Sequence, residues 1–208
     1  MQNDSRMKKV DDVTGVILAG GRSSRMGRDK ATLEVAGAPL FERVLSVLLD
    51  FFDAVLIAGD RPDLARPTVP YHPDIYSGSA LGGLYTGLLK ARTEWIFVAP
   101  CDMPHPDPEM IWVLLERREG RQIVVPRTRA GFEPLFALYH KDCLDPMRAM
   151  LEEGRYRIYD LYDQMSVCYV CESELPPDWE RSLINVNTPE EYSKVRKKSL
   201  DQTERSEP

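Results

Sequence analysis

The chain has 208 residues, a 43% hydrophobic fraction and a formal net charge of −6. This length can bury one substantial core, and the acidic balance makes nucleic acid a poor candidate partner. The first residues, MQNDSRMKKV, contain no apolar leader, and no apolar run approaches the roughly 18–20 residues of a membrane span. Together with four cysteines that we expect to be reduced, this predicts a cytoplasmic protein without a membrane partner.

Short apolar runs alternate with segments of helical periodicity along the chain. Strands are predicted at 16–20, 54–59, 95–100, 122–126, 134–140 and 166–172, and helices at 39–52, 81–92, 105–119, 143–154 and from about 188. We expect a flexible N-terminus over 1–11, a single domain over 12–196 and a disordered charged tail over 197–208. The alternation predicts a three-layer α/β fold around a mostly parallel central sheet.

Two helix starts carry specific signals. Asp107 followed by Pro108 is a cap and first-turn pair, and Thr188-Pro189-Glu190-Glu191 is a capping box with proline at the first helical position. In doubly wound sheets, ligands bind beyond the carboxyl ends of the strands. Functional residues are therefore expected directly after strands.

The loop after the first strand, LAGGRSSRMGRDK (18–30), combines a pair of adjacent glycines with four cations. Gly20 and Gly21 are predicted to adopt positive φ and let a ligand approach the backbone, while Arg25 and Lys30 would contact a triphosphate. The spacing matches neither GxxxxGK[ST] nor GxGxxG, so a P-loop and a dinucleotide fingerprint are unsupported. A surface turn with solvated arginines is the other interpretation.

Three further oxygen-bearing side chains lie near predicted strand ends. Asp102, after WIFVAPC, could hold Mg²⁺ together with phosphate oxygens, or it could be a turn or cap residue. Asn187 could add a carbonyl ligand or form an Asx turn. Asp74 precedes a glycine-rich turn and could face the N–H donors of a purine, although those glycines could also serve helix packing.

With these motifs in place, the chain closely resembles the molybdenum cofactor guanylyltransferases of the MobA family, within the nucleotidyltransferases of Rossmann-like fold. LAGGRSSRMGRDK carries the family signature, and CDMP, GFEPLFALY and NVNTPEE follow in the family's order. The resemblance covers roughly residues 14–195. One departure is Ser79-Ala80-Leu81-Gly82-Gly83, where many members have GPLxG.

The resemblance implies transfer of GMP from GTP to Mo-molybdopterin with release of pyrophosphate and Mg²⁺ as the cofactor. Leu18, Ala19 and Gly20 would contact the nucleotide, with Gly21 next to them in the same turn. Lys30 would contact phosphate, Asp74 guanine, and Asp102 the metal. Taken together with the expectations for Arg25 and Asn187 from the residues themselves, catalytic roles fall to Arg25, Lys30 and Asp102, and the metal ligands would be Asp102 and Asn187. Potential protein partners are molybdoenzyme apo-proteins or their chaperones.

The acceptor is expected over the C-terminal half, near GFEPLFALYHKD and the basic triplet 155–157, which could equally be exposed charge. Two other functions stay open at this point. One is a cytidylyltransferase acting on molybdopterin or on a sugar or polyol phosphate, and the other is a non-catalytic protein that binds nucleotide and delivers the cofactor.

Overall fold

The computed structural model describes residues 9–20, 30–186, 188 and 190–195. Its strands are β1 (Val10–Leu18), β2 (Glu34–Val35), β3 (Ala38–Pro39), β4 (Phe52–Ala58), β5 (Tyr71–His72), β6 (Trp95–Pro100), β7 (Ile123–Thr128), β8 (Gly131–Phe132), β9 (Ala137–His140) and β10 (Val167–Cys171). Its helices are α1 (Leu40–Phe51), α2 (Ala80–Lys90), α3 (Pro108–Leu115), α4 (Leu144–Glu152) and α5 (Trp179–Ser182), and residues 190–195 are also helical. Among these residues, none of the helices combines the length and apolarity of a membrane span.

The central sheet has the strand order β10-β7-β9-β6-β1-β4-β5, with β8 paired to β7. Strand β1 is parallel to both β4 and β6, and β4 is parallel to β5. Only the pairings of β9 with β6 and β7, and of β8 with β7, are antiparallel among the described strands of this sheet. The predicted mostly parallel sheet is confirmed, and β1, β4, β6 and β7 all end at the same edge.

Helices cover both faces of the sheet. One buried cluster joins the sheet to α1 and α3, and includes Phe41, Leu48, Phe97 and Ile111. The other joins it to α2 and α4, and includes Val16, Leu84 and Met147. The three-layer α/β architecture predicted from the alternating pattern is therefore present.

Strand β1 is buried on both faces from Val13 to Leu18, as a central parallel strand requires. It begins at Val10, so Val10 and Asp11 belong to the sheet although residues 1–11 were expected to be flexible. Val10 pairs with Phe52 of β4, which gives these residues a hydrogen-bonded partner. Residues 1–8 and 196–208, including the predicted tail, lie outside the described residues.

Helix α2 approaches β1 unusually closely. A Cβ added at Gly87 would lie 2.6 Å from Cγ1 of Val16, so only glycine allows this contact. The helix starts at Ser79, whose hydroxyl accepts a hydrogen bond of 3.0 Å from the Gly82 N–H. Ser79 thus caps the helix at the start of the segment Ser79-Ala80-Leu81-Gly82-Gly83.

The two predicted helix starts are confirmed. The Asp107 carboxylate accepts from the Glu109 N–H at 2.8 Å, and Pro108 is the first residue of α3. Thr188 and Glu191 bond reciprocally: the Thr188 N–H donates to Oε2 of Glu191 at 3.0 Å, and the Glu191 N–H donates to Oγ1 of Thr188 at 3.2 Å. These bonds satisfy two backbone donors that a helix leaves unpaired at its start.

Candidate functional site

The carboxyl ends of β1, β4 and β6 bring the predicted nucleotide turn and Asp102 to one place. Leu18 pairs with Ala58 on one side and Pro100 on the other. The pairing continues beyond the strands, because the Ala19 N–H donates to the Ala58 carbonyl at 2.7 Å and the Cys101 N–H donates to the Leu18 carbonyl at 3.2 Å. Leu18, Ala19, Gly20 and Asp102 therefore line one edge of the sheet.

The expectation of positive φ is wrong for Gly20, which does not adopt the left-handed region. Because the Ala19 N–H is still bonded to the Ala58 carbonyl, the backbone keeps extended geometry at this point. The strained glycine is instead Gly59, at the end of β4, with a φ of +147°. A Cβ on Gly59 would lie 2.3 Å from the Ala19 carbonyl oxygen, so this glycine lets the two loops touch.

Asp74 lies directly beside the Gly20 backbone. Its Oδ2 is 3.4 Å from the position of a Cβ added to Gly20, and its Oδ1 is 3.4 Å from one added to Gly83 at the start of α2. The Asp74 N–H donates to Oδ1 of Asp60 at 3.3 Å. The structure thus brings together two residues, Gly20 and Asp74, that are 54 positions apart in the sequence.

The environment of Asp74 disfavours its charge. Burial, followed by repulsion from Asp60, raises the pKa of the Asp74 carboxyl from 3.8 to about 6. Its buried Oδ1 has no hydrogen-bond partner among the described residues. An unpaired, desolvated carboxylate at a ligand-binding edge is the kind of group that a ligand donor would satisfy.

Asp102 lies in the turn after β6, while the cap of α3 is Asp107, so a helix-capping role for Asp102 is excluded. Its backbone carbonyl accepts from the Val186 N–H at 3.2 Å, which attaches the segment at 185–188 to this turn. Next to Val186, the buried Oδ1 of Asn185 has no hydrogen-bond partner among the described residues. The hydrogen bond between Val186 and Asp102 thus brings together two segments whose side chains, those of Asp102 and Asn185, carry oxygen atoms.

The turn is stabilised by a hydrogen bond from Arg43 of α1, which the sequence interpretation did not single out. Its Nε donates to the Pro104 carbonyl at 2.6 Å and its Nη1 to the Val35 carbonyl at 3.3 Å. Burial, with the charges of Arg43 and Arg181, lowers the pKa of the neighbouring His105 to about 4. His105 is therefore neutral at pH 7. The half-burial of Arg43 arises only in the folded chain, so the sequence carries no local signal for this role.

Part of the predicted cationic loop and one predicted metal ligand are not among the residues that the structure describes. Gly21, Arg25 and Asn187 lie outside the described residues, as does the side chain of Lys30. The Lys30 backbone begins a single 3-10 turn, Lys30–Thr32. Ala31 in that turn is buried in the same cluster as Ala19, Ala99 and Met103. The end of the predicted cationic loop therefore returns to the sheet edge that carries Leu18 and Asp102.

This edge lies beyond the carboxyl ends of parallel strands, where open α/β sheets bind their ligands, and it carries the partly buried carboxylate of Asp74 and the acidic turn of Asp102. The family described as the MobA-like NTP transferase domain matches residues 15–167. A protein of Pelotomaculum thermopropionicum, named a probable molybdenum cofactor guanylyltransferase, is 38% identical over 187 residues, covering 88% of this chain and 91% of that protein. The chain belongs to the MobA-like NTP transferase family and is an enzyme of the nucleotidyltransferase class.

Two further comparisons agree. The molybdenum cofactor guanylyltransferase of Vibrio campbellii is 34% identical over 192 residues, covering 90% of this chain and 96% of that protein. The crystal structure of molybdopterin-guanine dinucleotide biosynthesis protein A from Archaeoglobus fulgidus superposes with a TM-score of 0.79 over 90% of this chain and 99% of that chain. At 23% identity, this likeness concerns the fold. It confirms the predicted Rossmann-like nucleotidyltransferase architecture.

Proposed function

We propose that this enzyme transfers GMP from GTP to the terminal phosphate of Mo-molybdopterin, releasing pyrophosphate and forming the guanine dinucleotide cofactor. The observation that carries the proposal is the position of Asp74, whose Oδ1 has no hydrogen-bond partner among the described residues and whose carboxylate lies next to the Gly20 backbone at the ligand edge. The curated names of the relatives described above point to the same reaction.

Asp74 favours guanine over cytosine. At pH 7, above its pKa of about 6, the carboxyl is mostly ionised and can only accept hydrogen bonds. Guanine presents two adjacent donors, the ring N1–H and the 2-amino group, which a carboxylate can accept together. Cytosine presents its amino donor next to the N3 acceptor, so one carboxylate oxygen would face another lone pair.

The phosphates of GTP would then extend along the edge towards Asp102. Leu18, Ala19, Gly20 and Gly21 would contact the nucleotide through the backbone, and Arg25 and Lys30 would bind phosphate oxygens. We propose Asp102 and Asn187 as protein ligands of a Mg²⁺ ion. The residues fit this ion, since Mg²⁺ prefers oxygen donors and few protein carboxylates, and an unpaired amide oxygen of Asn185 lies at the same contact. When bound, Mg²⁺ would offset the negative charge of the phosphate oxygens.

The reaction is an in-line displacement. A terminal phosphate oxygen of the acceptor forms a bond to the α-phosphorus of GTP, and the bond from that phosphorus to the bridging oxygen breaks. The electron pair leaves with pyrophosphate, whose charge Arg25 and Lys30 would stabilise. The acceptor phosphate has a second pKa near ~6 and is largely dianionic at neutral pH, so no general base is needed. His105, whose pKa is lowered to about 4, is a weak base, in keeping with a reaction that needs no general base.

The direct test supplies the purified enzyme with Mg²⁺, Mo-molybdopterin and either GTP or CTP. We expect pyrophosphate release and the guanine dinucleotide product with GTP, and at least ~10-fold slower turnover with CTP, because the carboxylate contact is lost. Equal or faster turnover with CTP would favour the cytidylyltransferase alternative. Binding of GTP without pyrophosphate release in the presence of acceptor would favour a non-catalytic delivery protein.

The remaining expectations concern where and with whom the enzyme acts. All four cysteines, Cys101, Cys143, Cys168 and Cys171, are free thiols, which suits a reducing compartment. We propose the cytoplasm as that compartment, with neither a membrane nor a nucleic-acid partner. Apo-molybdoenzymes or their chaperones would receive the finished cofactor.

A further inference from the structure

We propose that the fused-ring head of the acceptor stacks on an aromatic shelf made by Arg127, Phe132, Tyr162 and Tyr169. The inference rests on the proposed function for the identity of the acceptor, and it assigns the place and the residues that hold it. These four residues come from four separate elements: β7, β8, the short helix Ile158–Gln164 and the edge strand β10.

The rings of the shelf are mutually supported. Phe132 lies 5.2 Å from Tyr169 at an interplanar angle of 31°, and it meets Tyr162 edge-on at 5.5 Å and 82°. The buried Tyr162 is fixed further by a hydroxyl contact of 3.5 Å with Tyr139. Tyr162 therefore forms the floor of the shelf. Tyr169, which is 37% exposed, presents a flat aromatic surface to solvent.

The shelf also carries a positive charge. The Arg127 guanidinium carbon lies 5.9 Å from the centre of the Phe132 ring. Arg127 is exposed, and its guanidinium has no carboxylate partner within the part of the chain that the structure describes. The nearby Arg129, in contrast, pairs with Glu172 at 3.4 Å. Arg127 is thus available to the anionic dithiolene and metal–oxo groups of a molybdenum-bearing pterin.

The position of the shelf suits an acceptor rather than the nucleotide. Arg127 pairs with Phe132 near the carboxyl end of β7, which is the same sheet edge as the site. Strand β7 is three strands from β1, which corresponds to roughly 14 Å at the usual strand spacing. The acceptor and the nucleotide together would span this distance, with the acceptor phosphate at the α-phosphorus and the ring system on the shelf.

The shelf also lies on the same face of the sheet as the proposed guanine contact. Phe132, Tyr162 and the neighbouring Val125 belong to the cluster under α2 and α4. The Asp74 carboxylate lies beside Gly83 of α2 on that face, 3.4 Å from the position of a Cβ added there. A guanine at Asp74 and a ring system at Phe132 would therefore occupy the two ends of one continuous surface, with the reacting phosphates between them.

The test compares Tyr169→Ala, Tyr169→Phe and Arg127→Ala, with Arg92→Ala as a matched control. Arg92 is an exposed arginine at the opposite edge of the sheet, between α2 and β6. For both alanine variants at the shelf we expect the KM for Mo-molybdopterin to rise between about 5- and 100-fold, the range of base–aromatic stacking losses, while the KM for GTP stays within about twofold. Tyr169→Phe keeps the ring and should retain the wild-type value, as should Arg92→Ala.

A binding measurement separates the shelf from the proposed reaction. A phosphorylated pterin without molybdenum is titrated with enzyme, and the quenching of its own fluorescence reports stacking. The shelf predicts quenching with wild type and Tyr169→Phe and its loss with Tyr169→Ala. Unchanged acceptor KM in both alanine variants, together with active GMP transfer, would refute the shelf and leave the function standing. Pterin binding that depends on Tyr169, without any GMP transfer, would refute the function and leave the shelf standing.

Discussion

Asp74 should lower the stability of the free enzyme while it improves nucleotide binding. The substitution Asp74→Asn keeps the shape of the side chain and removes its charge. The pKa of Asp74 is raised in the folded protein from 3.8 to about 6, so the folded state disfavours the ionised form. At 1.36 kcal/mol for each pKa unit the cost is at most about 3 kcal/mol. Because the side chain is only partly buried, we expect about 1–2 kcal/mol.

The pH dependence follows from the direction of this shift. A folded pKa above the unfolded one means that folding takes up a proton between about pH 4 and pH 6. The contribution of Asp74 to wild-type stability is therefore fully present below pH 4 and lost as the pH rises through about 6. Asparagine does not titrate, so the variant should gain about 1–2 kcal/mol over wild type at pH 8 and almost nothing at pH 4.

Urea unfolding of both proteins at pH 4, 6 and 8 measures this difference, and GTP titration at pH 8 measures the cost to binding. We expect Asp74→Asn to weaken GTP binding by about 10- to 100-fold, since hydrogen bonds to a charged group contribute about 1.5–3 kcal/mol. The exposed Asp53 of β4 offers a control, because Asp53→Asn should change neither quantity. If the stability difference for Asp74→Asn is the same at pH 4 and pH 8, the reasoning about burial is wrong.

Four further substitutions test other parts of the structure. Gly87→Ala should destabilise the protein by about 1–3 kcal/mol in urea unfolding, because its Cβ would lie 2.6 Å from Val16, and adding Val16→Ala should recover part of the loss. Thr188→Ala should cost about 1 kcal/mol in the same assay through loss of the reciprocal cap, whereas Thr188→Ser should cost little. Asp102→Ala should abolish turnover, and Lys30→Ala should slow it ~10²-fold or more, about 3 kcal/mol, with the folded state unchanged by circular dichroism. A full-rate Asp102→Ala enzyme would refute the metal assignment.

The sequence predicts the fold well where local chemistry determines it. Strand β6 coincides with the predicted 95–100, and the caps at Asp107 and Thr188 are confirmed because both depend on residues within a few positions. Strand β1 begins at Val10 instead of the predicted position 16, and β4 begins at Phe52 instead of 54, since pairing between Val10 and Phe52 extends both strands beyond their apolar runs. Such an extension depends on the neighbouring strand and has no signal in either segment alone.

Part of the candidate site can also be predicted from local sequence patterns. Four site residues lie at or just after the ends of apolar strands, so their common edge could be expected from the parallel pattern. These residues are Leu18, Ala19, Gly20 and Asp102. The proximity of Asp74 to Gly20 has no signal in the sequence, because it joins distant segments. The role of Gly59, which takes the positive φ expected at Gly20, arises from the crossing of two loops. Neither this crossing nor the support that Arg43 gives to Pro104 has a local sequence pattern.

The most direct test of the account is a crystal structure of the enzyme with Mg²⁺ and a GTP analogue whose α–β bridge is a methylene group. We expect the guanine edge to contact Asp74. The α-phosphate should lie between Gly20 and Asp102, and the ion should be coordinated by Asp102. A nucleotide bound elsewhere, or a base whose N1–H and 2-amino group point away from Asp74, would contradict it.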